Sequence, residues 1–253
     1  MEFFDCCASF GVYQVPPLRR ADTAEELLRE MDYCDVAEAL VRHAASSEDC
    51  PTVGNPLLCD EIAAHPRLHG TWAILPPQTD ELGAPEEFLA RMKEHGIPAL
   101  WTFPDKHRYI LTASLFGGLF DLLTEKQIPL FMPISANSGG VSGWMLADYV
   151  LRDFPKLTLI VTNHGSWGQD RYFRGLIESY ENFHIDTSRH ELDGGIADFC
   201  KKYGPDRILY GSNYPFTNMG GPLLALAHAD ISDSDREAIA GGNLRRLLGR
   251  VTL

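Results

Sequence analysis

Short apolar runs recur along the chain with little alternation between polar and apolar positions, the pattern of strands buried on both faces of a parallel sheet. The clearest covers residues 208–210, runs into Gly211-Ser212-Asn213 and stops at Pro215. Earlier runs of the same kind predict strands at 2–5, 36–41, 70–75, 97–101, 129–132, 157–162 and 183–186. The Ala and Glu content of 36–41 suits a helix equally.

Helical signals fall between these runs. Thr23-Ala-Glu-Glu26 is a capping-box pattern, with Leu27, Leu28 and Met31 following at helical spacing. Helices are predicted at 56–65 with Pro in the first turn, at 85–95 with Gly96 as its stop, and at 110–126, 144–152, 170–180 and 194–203. Two more close the chain, the last capped by Ser234-Asp-Arg-Glu237 and ended by Gly249, while polar 43–55 and Gly/Ser-rich 135–143 read as loops. Eight strands alternating with at least as many helices predict an α/β fold, a single (β/α)8 TIM barrel over residues 1–253 with an extra C-terminal helix. An open doubly wound sheet is disfavoured, because no Gly-rich dinucleotide turn follows the first strand.

Composition narrows the partners. The 253 residues are 45% hydrophobic and 23% charged, with a net charge of −13 and no basic stripe. Nucleic acid and anionic membrane are therefore not expected, and no apolar run reaches the roughly 20 residues that cross a bilayer. The amino terminus lacks the basic and apolar regions of a signal peptide, so a cytoplasmic location is expected. The six cysteines have no CxxC spacing and read as reduced thiols.

The strand ends resemble a known pattern. Phe4-Asp5, Met31-Asp32, Ala63 to Pro66, Ile128-Pro129-Leu130, Val161-Thr-Asn-His164-Gly165 and Asp186-Thr-Ser188 carry it. So do Gly204-Pro-Asp-Arg-Ile-Leu-Tyr-Gly-Ser-Asn-Tyr-Pro215, Ile231-Ser and Asn243-Leu-Arg-Arg-Leu-Leu248. In combination they resemble the amidohydrolase-2 family of the amidohydrolase superfamily, metal-dependent TIM-barrel hydrolases and decarboxylases. The resemblance implies a divalent metal, usually zinc, held by an Asp-x-His-x-His motif, a His ending the fifth strand and an Asp after Gly-Ser on the eighth. Those positions here hold Cys7, Ser9, Pro133 (or Met132, if the register slips) and Asn213, and only the sixth-strand His164 matches. Proline offers no donor, and Ser and Asn are weak ones, so no metal cofactor is expected. Zinc or manganese is expected only if Cys7, His164 and His190 form a remodelled site.

A metal-independent hydrolase of lactonase type, acting on a small anionic lactone, amide or carboxylic acid, is the first functional expectation. His164 would be its general acid or base, Asn213 its substrate-positioning donor, and Cys7 a nucleophile if a thiolate forms. Lys106, His107 and Arg108 after the fourth strand, and Arg189 with His190 after the seventh, are candidate anion contacts, with Ser9 beside them. A solvated helix start explains the first cluster equally, and core packing explains Trp101, Trp144 and Trp167 as well as an aromatic pocket does. The alternatives are a catalytically silent barrel that binds a ligand or partner protein, and a metal hydrolase with a remodelled site. A homodimer is expected from the resemblance.

Overall fold

The structure is a computed structural model that describes residues 1–164, 169–190 and 192–253. Its frame is eight parallel strands, β1 (Phe3–Phe10), β2 (Val36–His43), β3 (Leu68–Ala73), β4 (Ala99–Trp101), β5 (Leu130–Pro133), β6 (Leu159–Thr162), β7 (Phe183–Asp186) and β8 (Ile208–Leu209), paired in chain order. The seam between β8 and β1 is closed by backbone and side chain together. The Cys6 amide donates to the Tyr210 carbonyl at 2.9 Å, the Ser9 amide donates to the Tyr214 carbonyl at 2.9 Å, and the Ser212 amide donates to the Asp5 carboxylate at 3.0 Å. The predicted barrel is therefore present.

Two apolar layers hold it. Inside lie Phe4, Leu40, Ala99, Phe131, Ile160 and Leu209, contributed by strands around the ring. Outside, Val41, Leu130, Met132, Val161, Phe183 and Ile185 pack against the helices. Met132 thus faces outward and Pro133 ends β5 at the mouth, which settles the register. β5 and β6 fill both layers with apolar residues, which is why their runs show no alternation, whereas β7 gives Phe183 and Ile185 to the outer layer and carries the buried polar His184 and Asp186 on its other face.

The helix signals translate into caps. Thr23 Oγ1 accepts the Glu26 amide ahead of the helix Ala24–Cys34, and the Glu26 carboxylate accepts the Asp22 amide at 2.7 Å. Gly249 follows the last helix, Asn243–Leu248, as expected. The cap before it differs, because Ser232 rather than Ser234 accepts the Asp235 amide, at the start of the short helix Asp233–Glu237.

Two departures matter for the site. First, the polar stretch predicted as a loop is helical, at Ala45–Glu48 and Pro51–Ile62. Tertiary contact explains it: Asn55 accepts the Ala73 amide at 2.9 Å and donates to the Ala73 carbonyl at 3.0 Å, docking the helix on the end of β3. Second, β1 and β2 run several residues beyond their predicted ends, carrying Cys6, Cys7, Ser9, Arg42 and His43 on strand rather than loop. Within β1 the register with β2 slips between Asp5, opposite Ala39, and Ala8, opposite Val41. That extra residue is a bulge at Cys6-Cys7. The loop after β5 also holds a small antiparallel pair, Asn137–Ser138 with Val141–Ser142.

Candidate active site at the barrel mouth

A cavity of about 410 Å³ opens at the carboxyl ends of the strands, where this fold places its chemistry. Tyr13, Arg42, Phe103, Asn163 and Asn213 line it, with Lys106, Ser135 and Pro133 toward the rim. The central cation is Arg42 at the end of β2, only 7% exposed. Its Nη1 donates to the Tyr13 hydroxyl at 3.2 Å and to Ser47 Oγ at 3.3 Å. Its Nε is buried with no hydrogen-bond partner, and no carboxylate among the described residues pairs with the guanidinium. The guanidinium lies 5.4 Å from the ring centre of Trp101 and 5.5 Å from that of Phe103. Those two rings are stacked 5.6 Å apart. A buried arginine costs free energy until an anion meets it, so the cavity is built for a negative group beside flat rings.

Sequence reasoning missed Arg42. The signal was present, a cation directly after the apolar Leu40-Val41, but ending the strand at residue 41 left Arg42 outside any predicted element. The cluster chosen instead is split. Lys106 is exposed and held by Glu48 at 3.0 Å, His107 is half-buried with its pKa lowered by burial, and Arg108 is exposed with φ 58°. Of the three, Lys106 lines the cavity.

Below the cavity floor lies a buried polar cluster. Cys7 Sγ donates to Asp186 Oδ2 at 3.2 Å and accepts the Asn213 amide at 3.2 Å. Asp186 also accepts the Asn163 amide at 3.0 Å and a bond from Ser188. Burial pushes Asp186 up to about 6, against those hydrogen bonds. Burial likewise raises the Cys6 thiol to about 11 and the Cys7 thiol well above its ordinary value. As a free thiol Cys7 is neutral at pH 7, which does not suit the nucleophile expected of it.

The other expected site residues are dispersed. His164 is buried on the helix side of β7, where Nε2 donates to the Asp186 carbonyl at 2.9 Å and the ring meets Phe173 and His190. It therefore holds the strand that carries Asp186. Ser9 is fully buried; it donates to the Tyr214 carbonyl at 3.0 Å and accepts the Tyr13 hydroxyl at 2.6 Å, so it fixes the tyrosine that meets Arg42. Asn213, in a left-handed conformation with φ 51°, lines the cavity. Arg189 is half-buried on the turn after β7, and His190 lines a separate cavity with Gly195 and His228. Of the tryptophans, Trp101 is beside the cavity, Trp144 packs in the helical layer near Phe173, and Trp167 lies outside the described residues.

Comparison with known proteins shows the family. A family model described as amidohydrolase matches residues 8–250. A gamma-resorcylate decarboxylase from Polaromonas sp. is 33% identical over 67 residues, 26% of this chain and 21% of that protein. The aligned stretch is thus about a fifth of the length of the curated relatives it matches. Among solved structures, a dihydroxybenzoic acid decarboxylase from Polaromonas sp. with bound manganese and 2-nitroresorcinol superposes with a TM-score of 0.74 at 15% identity, covering 98% of this chain and 97% of that one. A 5-carboxyvanillate decarboxylase from Novosphingobium aromaticivorans, also with manganese, gives 0.76 at 15% identity over 98% and 96% of the two chains.

These manganese-bound neighbours contradict the expectation of no cofactor. The expectation counted donors at the family's four positions and, for a remodelled site, only Cys7, His164 and His190. It left out Cys6, which the bulge turns inward, and Asp186, which ends β7. The residues present nevertheless fit manganese poorly. Ser9 is committed to Tyr13 and Tyr214, Pro133 has no donor, and the donors that converge among the described residues are two thiols and one carboxylate. Manganese favours oxygen and nitrogen ligands.

Proposed function

This chain belongs to the amidohydrolase family, and from that premise we propose that it is an enzyme that removes the carboxyl group from a small aromatic acid. The observation that carries the reading is Arg42, a buried guanidinium with no carboxylate partner among the described residues, flanked by two aromatic rings in a cavity of about 410 Å³. A benzoate-sized acid suits that volume. Its carboxylate would take the open donor positions of Arg42, and its ring would lie against Trp101 and Phe103. Asn213 and Asn163, which line the cavity, would bond ring oxygens. The names of the relatives, decarboxylases of gamma-resorcylate and carboxyvanillate, support an aromatic acid as substrate.

In the reaction the ring–carboxyl bond breaks, its electron pair stays on the ring carbon, that carbon takes a proton, and carbon dioxide leaves. Arg42 stabilises the charged acid before any of this occurs. Its contribution is therefore expected in KM more than in kcat. His164 is proposed as a positioning residue that fixes the end of β7, and Lys106, already paired with Glu48, as a rim charge that adds little.

The test is a panel of hydroxybenzoates, matched lactones and amides, followed by chromatography for ring product and by detection of released carbon dioxide. The reading expects carboxyl loss from at least one hydroxybenzoate. Opening of a lactone or amide with no carboxyl loss would replace it with a hydrolase. Binding of the acids without turnover would replace it with a silent barrel.

A further inference from the structure

We infer that Cys6, Cys7 and Asp186 form a site for a thiophilic divalent ion of the zinc type, beneath the cavity and in place of a manganese centre. One ligand atom from each of the three lies within 4.8 Å of the other two, and all three residues are buried. The bulge in β1 makes this possible. Regular alternation would turn Cys6 and Cys7 to opposite faces, but the extra residue brings both sulfurs to Asp186 on the far side of the β8–β1 seam.

Gly211 supplies the second observation. A Cβ added there would fall 2.7 Å from Asp186 Oδ2, 2.8 Å from Cys7 Sγ and 2.9 Å from Cys6 Sγ. The three ligand atoms thus crowd together against one backbone position, and only glycine, which has no Cβ, leaves room there for all three.

The donor set selects the ion. Two thiolates and a carboxylate suit zinc, which accepts sulfur and oxygen in tetrahedral geometry, and they suit manganese poorly. Three protein ligands leave a fourth position on the ion. The surrounding bonds are those that ligands need: the Asn213 amide donates to Cys7 Sγ at 3.2 Å and the Asn163 amide to Asp186 Oδ1 at 3.0 Å. Both asparagines line the cavity directly above. The site stands on these contacts alone and does not depend on which substrate the cavity takes.

The test uses full-length protein, untagged and prepared without chelators, titrated with zinc against a chromophoric chelator. Parallel titrations use cobalt(II), whose thiolate complexes absorb in the near ultraviolet, and manganese(II). The expected result is one equivalent of zinc, a thiolate-to-cobalt band, and zinc binding at least about 100-fold tighter than manganese. Cys6→Ser and Cys7→Ser should each weaken zinc at least about tenfold and diminish the cobalt band, while Cys200→Ser leaves both unchanged. Absence of the thiolate band in the wild-type protein overturns the inference without any variant having to fold. So does zinc uptake that persists undiminished in a folded Cys7→Ser protein, or manganese binding as tightly as zinc.

Discussion

Arg42 and Lys106 are two cations on one cavity, and their surroundings are opposite. Lys106 is exposed, and Glu48 holds its ammonium at 3.0 Å. Arg42 is buried against Trp101 and Phe103, its guanidinium met by two hydroxyls and by no carboxylate among the described residues. In a chain of net charge −13, a buried cation left without an acid is the exception that needs a reason. The contrast teaches that a neutralised surface charge offers little to a ligand. A desolvated and under-satisfied one reserves its interaction for whatever enters.

The largest expected effect follows from removing that reserve. Arg42→Met should weaken binding of 2,6-dihydroxybenzoate by about 100-fold, measured by calorimetry, because a desolvated charge pair costs on the order of 3 kcal/mol to break. The same variant should lose less than about 1 kcal/mol of folding stability by denaturant titration, since a buried charge lacking an acidic partner contributes little to the empty protein. A large loss of stability would instead make Arg42 a structural residue and collapse the contrast.

Arg42→Lys sharpens it. The charge remains but the planar fork is lost, so binding should fall about tenfold. Tyr13→Phe removes one hydroxyl between Ser9 and Arg42 and should cost about fivefold, a single hydrogen bond of roughly 1 kcal/mol. Lys106→Ala should change affinity less than about twofold at physiological salt, as expected for an exposed and already paired charge. Should Lys106→Ala prove the more damaging, the roles of the two cations are reversed.

The same contrast explains what the sequence could and could not disclose. Strand order and the barrel were legible because buried parallel strands are apolar on both faces, and runs such as 129–132 and 157–162 carry that signature. The errors collected at the mouth ends of β1 and β2. There the strands continue through Cys6-Cys7-Ala8-Ser9 and Arg42-His43, residues whose polarity reads as loop. What keeps them in strand is pairing with neighbours remote in sequence, such as the Ser9 amide on the Tyr214 carbonyl. A bulge is defined only by the strand opposite, so Cys6 facing inward beside Cys7 was not readable from β1 alone. Asn213, whose Gly-Ser-Asn context follows the best-defined apolar run, lines the cavity at the mouth. His164 was expected at the mouth on equally good local grounds, yet its ring turned toward Phe173 and His190 in the helical layer.

Substrate charge recognition is the central claim, and a matched pair of ligands tests it on the unaltered protein. Calorimetric titration with 2,6-dihydroxybenzoate and with its neutral carboxamide compares the same ring with and without the anion. The account predicts that the acid binds at least about 50-fold more tightly than the amide, the worth of one desolvated charge-assisted contact. Equal affinities for acid and amide would mean that Arg42 does not read the carboxylate, and the proposed substrate class would fall.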